Sequence, residues 1–98
     1  MPILRLFRAR ARAGQEETYT EFLKRTTLPF LRGQFGCLAV RIGRQYTAEG
    51  DVEFAVLTVW DTSEHLQAAT GARWDQPVID PEEAPLLDSS EVAHYDEL

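Results

Sequence analysis

From Ile3 to Ala11 the chain runs ILRLFRARA, which places Ile3, Phe7 and Ala9 on one side of an extended segment and Leu4 and Leu6 on the other. This alternation predicts a first strand over residues 3–11, followed by a turn at Ala13-Gly14. Tyr19, Phe22, Leu23, Thr26 and Phe30 then recur at helical spacing, so a helix from about Gln15 turns that stripe toward a sheet. Glu16 and Glu17 suit its first turn, where acids favour the helix dipole. Pro29 is expected to kink or restart the helix, and Gly33 to Gly36 to end it. Residues 37–46, CLAVRIGRQY, read as a second strand with Leu38, Val40 and Ile42 on one face and Cys37, Ala39, Arg41 and Gly43 on the other. Glu49-Gly50-Asp51 marks a hairpin turn.

Residues 52–60, VEFAVLTVW, form the third predicted strand. Its near-continuous apolar run implies burial on both faces. A short helix over Ser63–Thr70 follows, with Asp61 as the expected cap, Glu64 three residues on, and Gly71 as the stop. Pro77, Pro81 and Pro85 exclude a long helix beyond it, although Asp80-Pro81-Glu82-Glu83 suits one helical turn that packs Leu86 and Leu87. Glu91 to Glu97 completes the chain as a final strand.

The order βαββαβ predicts an α+β, ferredoxin-like fold for one domain over residues 1–98: an antiparallel four-stranded sheet with both helices on one face. Strands two and three are apolar on both sides, but the helices cover only one. The open face is therefore expected to meet the same face of a second copy, making a homodimer. A domain of 98 residues buries only about two-thirds of its unfolded surface, so such burial would matter.

Charge changes the picture in one respect. Residues 1–44 carry a net +6 and residues 45–98 a net −12. Arg5, Arg8, Arg10 and Arg12 alternate with apolar residues in a strand, unlike a basic tail, so the halves are expected to neutralise each other within the fold or across a dimer. Nucleic-acid binding does not fit a pI near 4.8. No apolar run approaches the roughly 20 residues of a membrane span. The N-terminus lacks a signal-peptide pattern, and Cys37 is the only cysteine, which excludes an intrachain disulfide and points to the cytoplasm. No metal motif or cofactor-binding loop is read from the chain.

LPFLRGQFGCLAVRIGR in the first half and FAVLTVWDTSEHLQAA in the second resemble the antibiotic biosynthesis monooxygenase family of dimeric α/β barrels. Gly36-Cys37, Trp60 and Ser63-Glu64 fall where that family has a Gly-Cys pair, a strand closing on Trp, and a polar helix start. The resemblance implies cofactor-independent oxygenation of an aromatic or quinol-type molecule by O₂. Haem degradation, another activity of the family, does not fit, because residues 66–80 have no His; the chain also lacks the pocket Asn that the resemblance implies for haem degraders and oxygenases alike. A non-catalytic binding or partner subunit of the same fold is one alternative. A lactone isomerase-like enzyme is another.

Such oxygenation needs aromatic walls, exclusion of water and one base. Trp60 can stack on an aromatic ligand or pack as a core residue, and Trp74 can line the mouth of a pocket or anchor its loop. His65 and His94 are the two candidate bases; each can equally be a surface or packing residue. Arg5 and Arg41 can bind an acidic substrate or pair with an acid from the second half. Tyr46 and Tyr95 can hydrogen-bond a phenolate or simply end a strand.

Overall fold

The computed structural model describes residues 1–98. Strands β1 (Ile3–Ala11), β2 (Cys37–Tyr46), β3 (Val52–Trp60) and β4 (Leu87–Asp96) form one antiparallel sheet in the order β2-β3-β1-β4. The β2–β3 hairpin closes through Thr47, whose N–H donates to the Asp51 carbonyl at 2.8 Å, and Gly50 supplies the positive φ of 87° that the turn requires. Helices α1 (Glu16–Phe22) and α2 (Leu28–Arg32), and helix α3 (Ser63–Thr70), lie in the two crossovers on one face of the sheet. This is the ferredoxin-like α+β arrangement. No helix is long and apolar enough to cross a membrane.

The alternation in β3 decides the layers. Val52, Phe54, Val56, Thr58 and Trp60 are buried beneath the helices, while Glu53, Ala55, Leu57 and Val59 are only half-buried on the open face. β1 follows the same rule. Phe7 and Ala9 oppose Val56 and Phe54 on the covered face, while Leu4 and Leu6 oppose Val59 and Leu57 on the open one. The core joins these strands to Tyr19, Phe22 and Leu23 of the first crossover, with Tyr19 set edge-on against Phe54 at 4.9 Å between ring centroids. Both sides of β3 are apolar, as the sequence pattern predicts, but β2, read the same way, is an edge strand whose open-face residues Ala39, Arg41 and Gly43 are exposed.

The helix restarts at Pro29 as expected, with the proline in the first turn of α2, whereas several other local expectations are corrected. A π-helical turn over Leu23–Thr27 joins α1 to α2, and the Leu28 N–H reaches back to the Leu23 carbonyl. The wider turn gives the proline ring space that regular α-geometry lacks. It also rotates the following residues, which leaves Phe30 54% exposed rather than packed on the sheet. A bulge between Cys37 and Ala39 takes Leu38 out of the face that Val40 and Ile42 share. Leu38 is 60% exposed. The cap of α3 is Thr62, whose Oγ1 accepts the His65 N–H at 3.2 Å, and Asp61 does other work. The last strand starts at Leu87, four residues before the predicted Glu91, because a 3₁₀ turn over Ala84–Leu86 delivers the chain directly beside Ala11.

The charge asymmetry closes within the fold. Arg8–Glu91, Arg10–Asp51, Arg12–Asp88 and Arg25–Glu82 each join the basic half to the acidic half, at 2.6 to 3.6 Å. These pairs are exposed and contribute little stability each.

Candidate functional site

Between the covered face of the sheet, the first crossover and the segment after α3 lies a cavity of about 430 Å³. The π-turn and the small Ala69 of α3 leave this space unfilled, and Val78, Ile79 and Pro81 roof it. Phe7, Phe22, Leu31 and Val56 make its walls mainly apolar. A volume of this size suits a small organic ligand.

Trp60 is completely buried and lines the cavity. Its indole N–H donates to Thr58 Oγ1 at 2.9 Å, so the ring is held at fixed orientation with its polar atom satisfied. The two roles that the sequence leaves open for Trp60 coincide: it is both a core residue and a cavity wall.

Arg5 also lines the cavity and is 7% exposed. Its strand position sets it between Thr58 on β3 and His94 on β4. The guanidinium donates to the Trp74 carbonyl, to the Gln76 carbonyl at 3.2 Å, and to His94 Nε2 at 2.8 Å. Arginine has no lone pair to offer, so His94 accepts through Nε2 and carries its proton on Nδ1. Burial, then the Arg5 charge, push the His94 imidazole below its ordinary range, while Asp75 opposes them. His94 is thus a neutral acceptor that orients Arg5. Trp74 is half-buried, with its ring 5.0 Å from that of His94, and anchors the loop through its carbonyl.

His65 occupies a different corner. Its Nδ1 lies 2.6 Å from Asp61 Oδ1, and its ring meets Phe35 edge-on at 4.7 Å. The hydrogen bond from His65 holds the Asp61 carboxyl below the usual carboxylate range. Gly36 packs directly against this pair. It has φ of 88°, and a Cβ there would lie 2.5 Å from the His65 Cβ and 2.7 Å from Asp61 Oδ1. Gly36→Ala is therefore expected to cost at least about 2 kcal/mol, from the left-handed backbone and the displaced histidine together. Urea denaturation of the two proteins would measure this; an unchanged midpoint would contradict it.

The sequence marks Glu83 only as an acid in a helical turn. It is 5% exposed and lines the cavity. Its Oε2 accepts the Tyr19 hydroxyl at 2.7 Å, and its Oε1 accepts the Asp80 N–H at 3.2 Å. Burial raises the Glu83 carboxyl above its ordinary value, against the lowering effect of those two hydrogen bonds. Burial, together with Glu83, pushes the Tyr19 phenol well up, so it remains a donor. The spacing Asp80-x-x-Glu83 carries a signal for part of this, since an acid three residues after a cap turns back to the cap N–H. Tyr19 is 64 residues distant and carries no such signal.

Arg41 and Tyr95 fall outside this site. Arg41 is exposed opposite Leu57, and Tyr95 is 55% exposed beside Leu4, both on the open face. The period of two that places Arg5 and His94 under the helices sends these two to the other side of the sheet. The structure therefore brings together Trp60, His94 and Trp74 through Arg5 and Thr58. His65, Arg41 and Tyr95 stand apart from them.

The sequence matches the family model described as antibiotic biosynthesis monooxygenase over residues 2–73. Glu83 and His94 lie beyond the matched span. No curated protein matches the chain. Among solved structures, Rv0793 from Mycobacterium tuberculosis has a TM-score of 0.72 at 16% identity, with 100% of this chain and 96% of that one covered. PA3566 from Pseudomonas aeruginosa has a TM-score of 0.74 at 17% identity, covering 99% and 94%. A candidate antibiotic biosynthesis monooxygenase from Caulobacter crescentus has a TM-score of 0.77 at 14% identity, covering 99% and 90%. At these identities the likeness is one of fold.

Proposed function

The chain belongs to the antibiotic biosynthesis monooxygenase family, and from that premise we propose that its cavity holds a small aromatic or quinol-type molecule and oxygenates it with O₂ without a cofactor. The observation that carries this reading is Glu83, a buried carboxylate with a raised pKa in an otherwise mainly apolar cavity. A general base near neutral pKa is the one catalytic group this chemistry demands. Each Glu83 oxygen keeps a lone pair beyond the one used by Tyr19 or Asp80, so the carboxylate can accept a ring-hydroxyl proton. Of the histidines, His94 has its Nε2 lone pair engaged by Arg5, and His65 is held by Asp61. Geometry thus favours Glu83 over either as the base.

The reaction balances without an external reductant. The ring hydroxyl gives its proton to Glu83, and the resulting phenolate passes one electron to O₂. The phenoxyl radical and superoxide couple to form a carbon–oxygen bond. The ring C–H at the oxygenated carbon then gives up its proton, its electron pair forms the new quinone carbonyl as the peroxide O–O bond breaks, and the outer oxygen leaves as water with that proton and the one held by Glu83. Trp60 and the apolar walls hold the ring and keep bulk water out.

Oxygen uptake over a panel of phenols and quinols tests the reading. Protein-dependent consumption of one O₂ per ring, with one labelled oxygen in the product, is the expected result. Ligand-dependent thermal stabilisation with no O₂ uptake over the whole panel would instead identify a binding module.

We also infer a homodimer through the open sheet face, in keeping with a cytoplasmic protein that carries one free thiol, Cys37. Leu57 sits at the middle of that face, opposite Leu6 on one side and Arg41 on the other. In a self-complementary interface the same patch meets itself, so a charge placed there is buried against its own copy. Leu57→Arg is expected to convert a dimer into a folded monomer at micromolar concentration. Light scattering with circular dichroism would follow both properties, and a monomeric parent protein would remove the inference.

A further inference from the structure

Arg5 differs from the arginines that form ion pairs. Arg8, Arg10, Arg12, Arg25 and Arg44 each have a carboxylate within 3.6 Å, and all five are at the surface. Arg5 is buried, yet the partners of its guanidinium are two carbonyls and a neutral imidazole. A buried cation without a counter-charge is costly. Two of its five N–H donors, the Nε–H and one on Nη2, have no protein partner. Arg5 borders the cavity, so whatever occupies that space is in a position to supply the missing anion.

We propose that Arg5 anchors a carboxylate of the substrate, so the ligand class is a hydroxylated aromatic acid lying between Arg5 and Glu83. This deepens the oxygenase reading, because it assumes that the same cavity receives the substrate. The polarity of the cavity supports it. Asp80 and Glu83 line the roof side and repel an anion there, whereas Arg5 is the cation on the sheet side. The register separates the two ends. Arg5 pairs with Thr58, while Glu83 bonds Tyr19, which packs on Phe54, four residues back along β3. Four residues of strand span about 13 Å at roughly 3.3 Å each. A ring with a carboxylate at one end and a hydroxyl at the other fits between two long side chains reaching inward from those ends. His94 is a positioning residue in this scheme: it accepts one Arg5 hydrogen bond and leaves the remaining donors for the ligand.

The test is calorimetric titration at neutral pH with para-hydroxybenzoate and, as its uncharged counterpart, para-hydroxybenzyl alcohol. The acid is expected to bind at least tenfold more tightly. Arg5→Met, which keeps an apolar stem of similar length, is expected to abolish that preference, read as the ratio of the two affinities so that any loosening of the loop that Arg5 holds affects both probes alike. Arg5→Lys keeps the charge without the planar fork and should retain part of the preference. The comparison of the two probes on the parent protein needs no variant, so a misfolded Arg5→Met does not rescue the proposal. Equal affinity for both probes, or no binding of either at millimolar concentration, overturns it. Equal affinity with O₂-dependent turnover of the alcohol would remove the anchor and leave the oxygenase. Preference for the acid with no oxygenation of any ring would do the reverse.

Discussion

Glu83→Gln is expected to lower turnover by about 10²–10⁴-fold, the range a positioned general base supplies. The substitution isolates the base because it keeps the shape and the network. The Gln carbonyl can still accept the Asp80 N–H, and its amide can donate to the Tyr19 oxygen in place of the bond Tyr19 now gives. The pH profile supplies a second, independent reading. Glu83 must be ionised to act, so the acid limb of kcat/KM should have its midpoint above the ordinary glutamate value and vanish in the variant. Stability should move the opposite way. With its pKa raised in the folded state, Glu83 binds its proton more tightly when folded than when unfolded. Its contribution is therefore most favourable at low pH, and it declines as pH rises from the unfolded value through the folded one. Glu83→Gln removes that decline, so the variant should be at least as stable as the parent at neutral pH while losing activity. Unchanged turnover on a substrate that the parent oxygenates would remove Glu83 from the chemistry.

Trp60→Ala is the largest stability change expected. Truncating a fully buried Trp or Phe costs about 3–5 kcal/mol, and a domain of this kind has only about 5–15 kcal/mol in total. The neighbourhood offers little relief. Trp60 closes both ladders of the sheet's interior, opposite Ile3 on β1 and Cys37 on β2, and its indole is the donor that satisfies Thr58. The void left behind would also open into a cavity already present, so the surroundings have no reason to collapse around it. Trp60→Phe should cost appreciably less, since it keeps most of the ring and loses the Thr58 bond. Urea unfolding of the three proteins reads these differences. A loss below about 1 kcal/mol for Trp60→Ala would mean that the residue does not hold the layers together.

The legibility of the fold varies with how each residue is constrained. FAVLTVW could be read as a strand buried on both sides because β3 has a neighbour along each edge and apolar contacts on each face. LDSS, at the start of β4, could not. An edge strand is hydrogen-bonded along one side only, so Asp88 and Ser89 are free to be polar and exposed. Thr62 rather than Asp61 caps α3: both residue types suit the role, but the Asp61 carboxylate is engaged by His65 Nδ1 while its N–H donates to the Gly36 carbonyl. The aromatic wall of the site, Trp60, was visible as the end of an apolar run. The base we propose was not, because histidine is the side chain that composition singles out at neutral pH, whereas a glutamate is marked as a candidate only by its surroundings.

By itself the sequence determined the order of strands and helices, the two apolar sides of the third strand, the split of charge between the halves, and the family. The first two are written in local spacing, where a period of two or of about 3.6 is enough to assign a face; the charge split is read from composition, and the family from the resemblance of particular segments. Only the tertiary structure decided that Glu83 meets Tyr19, that Arg5 is buried among neutral acceptors, and that Arg41 and Tyr95 face away from both. Those facts depend on burial and on partners as many as 89 residues away, and it is burial that sets this carboxylate and this guanidinium apart from those at the surface.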